Sequence, residues 1–255
     1  MSGSVSVVMA VHNGSRFLAA QIESVLAELQ PQDELIVVDD LSSDGSYEWL
    51  AKLEDGRVHL HRHDRNLGVF QTFEDGLRRA RHDVVFLCDQ DDVWLPGKRA
   101  AFVAEFERDP RVLIVISDAE LIDGSDRVFA PSFMATKGQF RGGFWSTLLR
   151  NRYLGCAMAI RRELLARVLP IPRTVPMHDM WIGAMGSALG EVRYIAKPLL
   201  RYRRHGGNLS PSRRQGVGRM LRWRVALLSA VVARLTLVAI GKHAGMPARD
   251  GHACE

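Results

Sequence analysis

Residues 86–96 read FLCDQDDVWLP. A β-branched and aromatic run, DVVFLC at 83–88, breaks directly into Asp89, Asp91 and Asp92. Carboxylates this close repel one another, and burying them together is costly unless positive charge sits between them. Hard oxygen ligands of this kind suit a divalent ion such as Mg²⁺ or Mn²⁺. The alternative is a solvated acidic turn. What decides between the two is what else the chain brings to the end of that strand.

Working outward, short β-branched runs alternate with helical periodicity. SVSVVMAV (4–11), ELIVVDD (34–40), RVHLHR (57–62), DVVFLC (83–88) and RVLIVIS (111–117) read as strands. Apolar residues Phe17, Leu18, Ile22, Val25, Leu26 and Leu29 mark a helix over 15–29 with Ser15 as its expected N-cap; further helices are expected near 44–54, 69–81 and 97–108. This alternation predicts an α/β fold: a mostly parallel, Rossmann-like sheet covered by helices on both faces. Ligands of such sheets bind beyond the carboxyl ends of the strands. HNG (12–14), DDLSSDGS (39–46) and DQDD (89–92) each follow a strand, so three polar clusters are expected to converge on one edge. That convergence favours a metal and nucleotide site over a solvated turn.

The chemistry is narrowed by what is missing. The first turn reads HNGSRF, not the GxGxxG of a dehydrogenase, and neither a P-loop nor the Gly-rich, Arg-ended loop of a pyrophosphorylase occurs. Phosphates must then be neutralised away from the first turn, and the acidic turn with its cation is the available place. The chain has 255 residues, enough for one large domain. Its charge is uneven: residues 213–255 hold eight Lys/Arg against two Asp/Glu, whereas 1–212 hold 26 against 27. The body therefore lacks the basic surface of a nucleic-acid binder. Cys88, Cys156 and Cys254 form no CxxC pair, which fits a reducing cytoplasm rather than a disulfide framework or a structural zinc site. The N-terminus reads as a first strand, not a signal peptide.

VSVVMAVHNG, ELIVVDDLSSDGS, RNLGV (65–69) and FLCDQDDVWLP together resemble the nucleotide-sugar half of a family 2 glycosyltransferase with the GT-A fold. MHDMWIGAMGSALG (177–190) and LLRYRRHGGNLS (199–210) are similar to the bacterial rhamnosyltransferase-like subgroup, whose members build surface polysaccharides. The resemblance covers about residues 4–210. It implies an inverting, Mn²⁺- or Mg²⁺-dependent enzyme that moves a sugar from a dTDP-, UDP- or GDP-linked donor, L-rhamnose being one candidate, to a glycan or lipid-linked glycan. The competing reading is a nucleotide-sugar-binding protein that has lost catalysis, which the departures at His12 and His178 keep open.

By the same resemblance, Asp40 accepts a hydrogen bond from the base imide and His12 takes the place of an aromatic residue against the base. Asn66 and Gly68 form the turn beneath the nucleotide. Asp91 holds the metal on the diphosphate, and Asp89 reaches the ribose or a metal-bound water. Asp92 contributes to the metal shell or contacts the donor sugar, and His205 completes the metal shell. Asp179 is the base that activates the acceptor hydroxyl; its alternative reading is an N-cap for a helix from Met180. His178 stands where most relatives carry Glu. Trp94 and Trp181 read either as flat walls for a sugar ring or as core.

The expected organisation is a nucleotide-sugar half (1–117), an acceptor-binding and catalytic half (118–212) and a basic amphipathic helical tail (213–255). The tail's longest charge-free stretch is too short to span a bilayer, which needs about 20 apolar residues. Two readings of it stand. One is an interfacial anchor over 213–243 on anionic lipid, placing the protein at the inner face of the plasma membrane. The other is a helix packed on the body or on a partner copy in a homodimer.

Overall fold

The computed structural model describes residues 3–140, 142–205 and 216–241. Nine strands form one sheet in the order β3-β2-β1-β4-β8-β6-β9-β5, with β7 (Val128–Ala130) paired to β6. β1 (Val5–Val11) lies between β2 (Glu34–Asp39) and β4 (Val84–Asp89), parallel to both, and β3 (Val58–Arg62) extends the parallel half beyond β2. The rest of the sheet is mixed. β8 (Met158–Arg161) runs antiparallel between β4 and β6 (Val112–Ile122). β6 pairs parallel with β9 (Glu191–Arg203), which pairs antiparallel with β5 (Val93–Trp94).

Period-two alternation sends each parallel strand to two cores. Val5, Val7, Met9 and Val11 of β1 join one face with Leu35 and Val37 of β2 and Phe86 and Cys88 of β4. Val8, Ile36, Val38, Val85 and Leu87 join the other. The first face is covered by α1 (Ser15–Leu26) through Leu18, Ile22 and Val25, and by α4 (Lys98–Arg108) through Phe102 and Phe106. The second is covered by α3 (Val69–Arg79) through Phe73 and Leu77, and by α8 (His178–Leu189) through Trp181, Ile182 and Met185. Runs buried on both faces are why these strands read as continuously apolar. The remaining helices are short: α2 (Ser46–Leu50), α5 (Phe133–Lys137), α6 (Phe144–Leu149) and α7 (Leu165–Val168).

Two expected caps differ. α1 begins at Ser15 itself with Gly14 before it and no side-chain cap; the Ser15 N–H donates to Asp44 Oδ2 at 2.9 Å and the Gly14 N–H to Ser46 Oγ at 3.0 Å. The loop after β2 thus caps α1 across space, and a local Ser cap is not needed. α8 begins at His178, two residues earlier than an Asp179 N-cap requires, so Asp179 sits in its first turn. Trp94 and Trp181 are core: both are buried, and Trp181 Nε1 donates to the Val168 carbonyl at 2.9 Å.

The tail forms α9 (Val217–Ala239), packed on the second core by Leu227 and Val231. Arg234 donates to the carbonyls of Arg167, Leu169 and Pro170 at 2.7–2.9 Å and lies over the Trp181 ring. No described helix is long and apolar enough to cross a membrane. The tail residues Arg213, Arg214 and Cys254, and the Gly206 and Gly207 that follow His205, lie outside the described residues.

Candidate active site

The register puts the carboxyl ends of three strands side by side: Val11 opposite Asp39, and Ala10 between Val38 and Asp89. Beyond them lies a cleft of about 320 Å³, bordered by His12, Asp40, Asn66, Asp89, Asp91 and His178 among others. The convergence expected from the three polar clusters is present.

At one end, Asp40 is held by three donors. Its Oδ1 accepts from His63 Nδ1 and the Leu67 N–H, its Oδ2 from the Gly68 N–H, all at 2.8 Å. Gly68 adopts φ +81°, a left-handed conformation that favours glycine, and so turns its N–H onto the carboxylate as α3 begins. Burial pushes the Asp40 carboxyl up, but these hydrogen bonds outweigh it and hold the pKa below the ordinary carboxylate value. A carboxylate offers about four lone pairs, so one on Oδ2 remains for a ligand donor. His63 Nε2 in turn meets Asp75 Oδ2 at 2.9 Å, fixing the imidazole between two carboxylates. His12 Nδ1 donates to the Asp40 carbonyl at 2.8 Å, and its Nε2 accepts from Asn66 Nδ2 at 3.2 Å. The exposed His12 ring is thereby pinned beside Asp40 as a flat wall.

At the other end the three carboxylates of the acidic turn separate. Asp89 and Asp91 border the cleft; Asp92 does not, and is fully buried with Oδ1 accepting from the Arg203 N–H at 2.9 Å. Asp91 Oδ2 lies 2.7 Å from His205 Nε2. Burial, then the charges of Asp91 and Asp179, push the Asp89 carboxyl up to about 7; the same kind of crowding raises Asp92 well above its ordinary value. Oxygen and imidazole donors of the kind that Asp91 and His205 bring together suit a Mg²⁺ or Mn²⁺ ion.

A second cluster, Asp89, Asp92 and Cys156, brings ligand atoms within 4.8 Å of one another. Burial holds the Cys156 thiol well above its ordinary pKa, which keeps it protonated and a poor ligand. The positive charge there belongs to Lys98, fully buried, whose Nζ donates to the Cys156 carbonyl at 2.7 Å and lies 4.4 Å over the Trp94 ring. Burial lowers its pKa to about 8, against the pull of Asp92 and Asp89. This ammonium answers the charge of the inner carboxylates without an ion.

Asp179 is 7 % exposed. Its Oδ1 accepts from the Met180 N–H at 2.6 Å, while burial pushes its carboxyl up to about 6. A carboxylate tuned to that value is a competent base near neutral pH. Next to it, His178 stacks on Phe73 with ring centroids 4.4 Å apart.

Residues 6–169 match the family described as "Glycosyl transferase family 2". The chain belongs to glycosyl transferase family 2. Among curated members, it is 29 % identical over 214 residues to the "Uncharacterized glycosyltransferase alr2836" of Nostoc sp., covering 80 % of this chain and 66 % of that protein. It is 24 % identical over 168 residues to the Escherichia coli "UDP-Glc:alpha-D-GlcNAc-diphosphoundecaprenol beta-1,3-glucosyltransferase WfgD", covering 66 % and 64 %. The chain thus spans less than two thirds of the length of these relatives. Among solved structures, S. aureus TarS (residues 1–349) in complex with UDP-GlcNAc superposes with a TM-score of 0.67 at 16 % identity, over 91 % of this chain and 66 % of that one. GalNAc-T7 with UDP, GalNAc and Mn²⁺ gives 0.60 at 18 %, over 78 % and 43 %. These likenesses establish the GT-A fold.

Of the residues singled out from the sequence, His12, Asp40, Asn66, Gly68, Asp89, Asp91 and His178 border the cleft, His205 meets it through Asp91, and Trp94 and Trp181 lie in the core. Asp92 and Asp179 stand behind its wall rather than on it. Sequence reasoning missed His63, Asp75, Gln90 and Arg203. Gln90 clamps β4 to β1, donating to the His12 carbonyl at 3.0 Å and accepting from its N–H at 2.7 Å. Arg203, buried, donates from Nε to the Asp91 carbonyl at 2.7 Å and spans to Asp126 at 2.7 Å. Lone residues carry no spacing signal; only the RYRRHGGN run around Arg203 offered one.

Proposed function

We propose that the chain transfers a glycosyl group, with inversion, from a nucleoside-diphosphate sugar to a hydroxyl of a glycan or lipid-linked glycan in bacterial surface-polysaccharide synthesis. The observation that carries this is one cleft lined by a hydrogen-bonded Asp40 with one free lone pair and by Asp91, itself paired with His205, with Asp179, tuned to about 6, next to the lining residue His178. Asp40 and the His12 ring receive the base; Asn66 and Gly68 hold the turn beneath it. Asp91 and His205 would hold a Mg²⁺ or Mn²⁺ ion, which would supply Lewis-acid stabilisation of the leaving diphosphate. Asp89 would reach the ribose or the metal's water shell, and Asp92 would serve the metal shell or the donor sugar. Asp179 takes the acceptor's proton as its oxygen attacks the anomeric carbon from the face opposite the diphosphate. Mn²⁺ in the GalNAc-T7 structure and UDP-GlcNAc in that of TarS support the metal and the donor class; the lipid diphosphate in the WfgD name supports the acceptor class. The MHDMWIG and YRRHGGN motifs make dTDP-L-rhamnose the first donor to test. The test is donor hydrolysis and transfer across dTDP-, UDP- and GDP-sugars, with Mn²⁺ and with chelator. Binding without turnover on any donor or acceptor favours the non-catalytic alternative.

A further inference from the structure

Among the described residues, His178 alone leaves two buried side-chain polar atoms, Nδ1 and Nε2, without a hydrogen-bond partner. The side chain is 5 % exposed and borders the cleft. It stacks on Phe73 and meets Phe70 edge-on at 6.0 Å. An unpaired buried polar group costs about 1–3 kcal/mol, and a phenylalanine would make the same stack without that cost. Packing alone therefore gives no reason for an imidazole here. Nε2 packs closely on Gly155, where an added Cβ would lie only 3.2 Å from it, so the glycine leaves room for the imidazole.

Burial lowers the His178 pKa to about 4, so near pH 7 the ring is neutral, with one N–H donor and one acceptor nitrogen. A phosphate oxygen only accepts and would leave the ring acceptor unmet. Nor does His178 join any cluster of three metal-ligating groups among the described residues. A hydroxyl both donates and accepts, as do vicinal hydroxyls on a sugar ring. The acceptor's reacting hydroxyl belongs to Asp179, the neighbouring residue, which leaves the donor's glycosyl group for His178. We infer that His178 is a specificity-determining residue that hydrogen-bonds a hydroxyl of the transferred glycosyl group. This rests on the reading of the cleft as a nucleotide-sugar site.

The experiment measures binding of a nucleoside diphosphate and of its sugar conjugate, with Mn²⁺, to the full-length wild type, His178→Phe and His178→Gln. In H178F the melting temperature holds or rises, affinity for the bare nucleoside diphosphate is unchanged, and the preference for the sugar conjugate falls by about 10–100-fold, the scale of a lost buried hydrogen bond. H178Q, which keeps a donor and an acceptor, retains part of the preference and serves if H178F does not fold. Mono-deoxy donors on the wild type must show the same loss at one hydroxyl or more. The proposal is overturned if the variants keep the full preference, if only the acceptor KM changes, or if every mono-deoxy donor binds the wild type as well as the parent. A wild type that binds the sugar conjugate but shows these negatives leaves the site reading intact; one that binds no nucleoside diphosphate overturns the site reading itself.

Discussion

His205 Nε2 lies 2.7 Å from Asp91 Oδ2 across 114 residues of sequence. The contact joins the end of β9 to the acidic turn after β4. Arg203 reinforces it, bonding the Asp91 carbonyl through Nε and Asp92 through its backbone N–H. Two halves of the sheet are thereby locked where this carboxylate and this imidazole meet.

If that pair holds a divalent ion, Asp91→Ala abolishes transfer and removes the extra thermal stabilisation that a nucleoside diphosphate gives in Mn²⁺. Ligand binding to the native state adds RT ln(1 + [L]/Kd), about 2.7 kcal/mol at 100 times Kd. Thermal shift with and without Mn²⁺ checks this in the wild type first. Equal shifts in the two conditions would sink the metal assignment.

Asp179 gives a pH prediction. As the proposed base it would work only when deprotonated, and its pKa is raised to about 6 by burial. Transfer should therefore rise with pH from about 5 to about 7 and then level, with the inflection at or below 6 once a cation is bound. Asp179→Asn keeps the size but cannot take the proton. It should lower kcat by about 10²–10⁴-fold with donor affinity retained. Near-normal transfer by this variant moves the role to another carboxylate.

The Asp40–His63–Asp75 chain yields a third. His63→Ala removes one of three donors to Asp40 and the link to Asp75. Hydrogen bonds to charged groups contribute about 1.5–3 kcal/mol, so nucleoside diphosphate affinity should fall about 10–100-fold by calorimetry. The ratio of sugar conjugate to bare diphosphate should stay constant if Asp40 receives the base, as proposed. A change in that ratio would place Asp40 nearer the sugar.

The parallel half of the fold was legible because β1, β2 and β4 are buried on both faces and read as unbroken apolar runs. Their order, with the polar cluster after each, placed the cleft. The mixed half was not. β8 inserts between β4 and β6 by long-range pairing, and β9 carries Pro198 opposite Asp118 at a register shift, where no local pattern marks a strand. In the site, the family resemblance picked out Asp40, Asp91 and Asp179, but what each carboxylate touches depends on distant chain. Asp92 is drawn into the core by Arg203 and Lys98, and His63 gains its meaning only between Asp40 and Asp75.

The tail changes the form of its own test. Leu227, Val231 and Arg234 bind α9 to the body, so cutting the chain near residue 212 removes two core residues, uncovers the apolar surface they pack on and strips three carbonyls of their donor. That truncation should lower the melting temperature, and it cannot isolate membrane binding. The outward side is different. Leu221, Val225 and Val232 are 59, 56 and 54 % exposed, and Trp145 and Leu149 of neighbouring α6 are 69 and 64 % exposed. Arg224 joins the two helices by donating to the Leu149 carbonyl at 2.7 Å. With the excess of basic residues in 213–255, this is an apolar strip edged with positive charge, suited to an anionic lipid surface. Each basic residue near such a surface contributes about 1 kcal/mol, screened by salt over about 8–10 Å. The full chain should co-sediment with anionic liposomes at low salt and come off at high salt. Replacing Trp145, Leu149, Leu221 and Val225 together by Ser should abolish sedimentation with little change in melting temperature or donor hydrolysis, and should lower turnover on a lipid-linked acceptor. A full chain that ignores anionic liposomes at low salt leaves the strip to a second copy of the protein, which sedimentation velocity would then detect as a dimer.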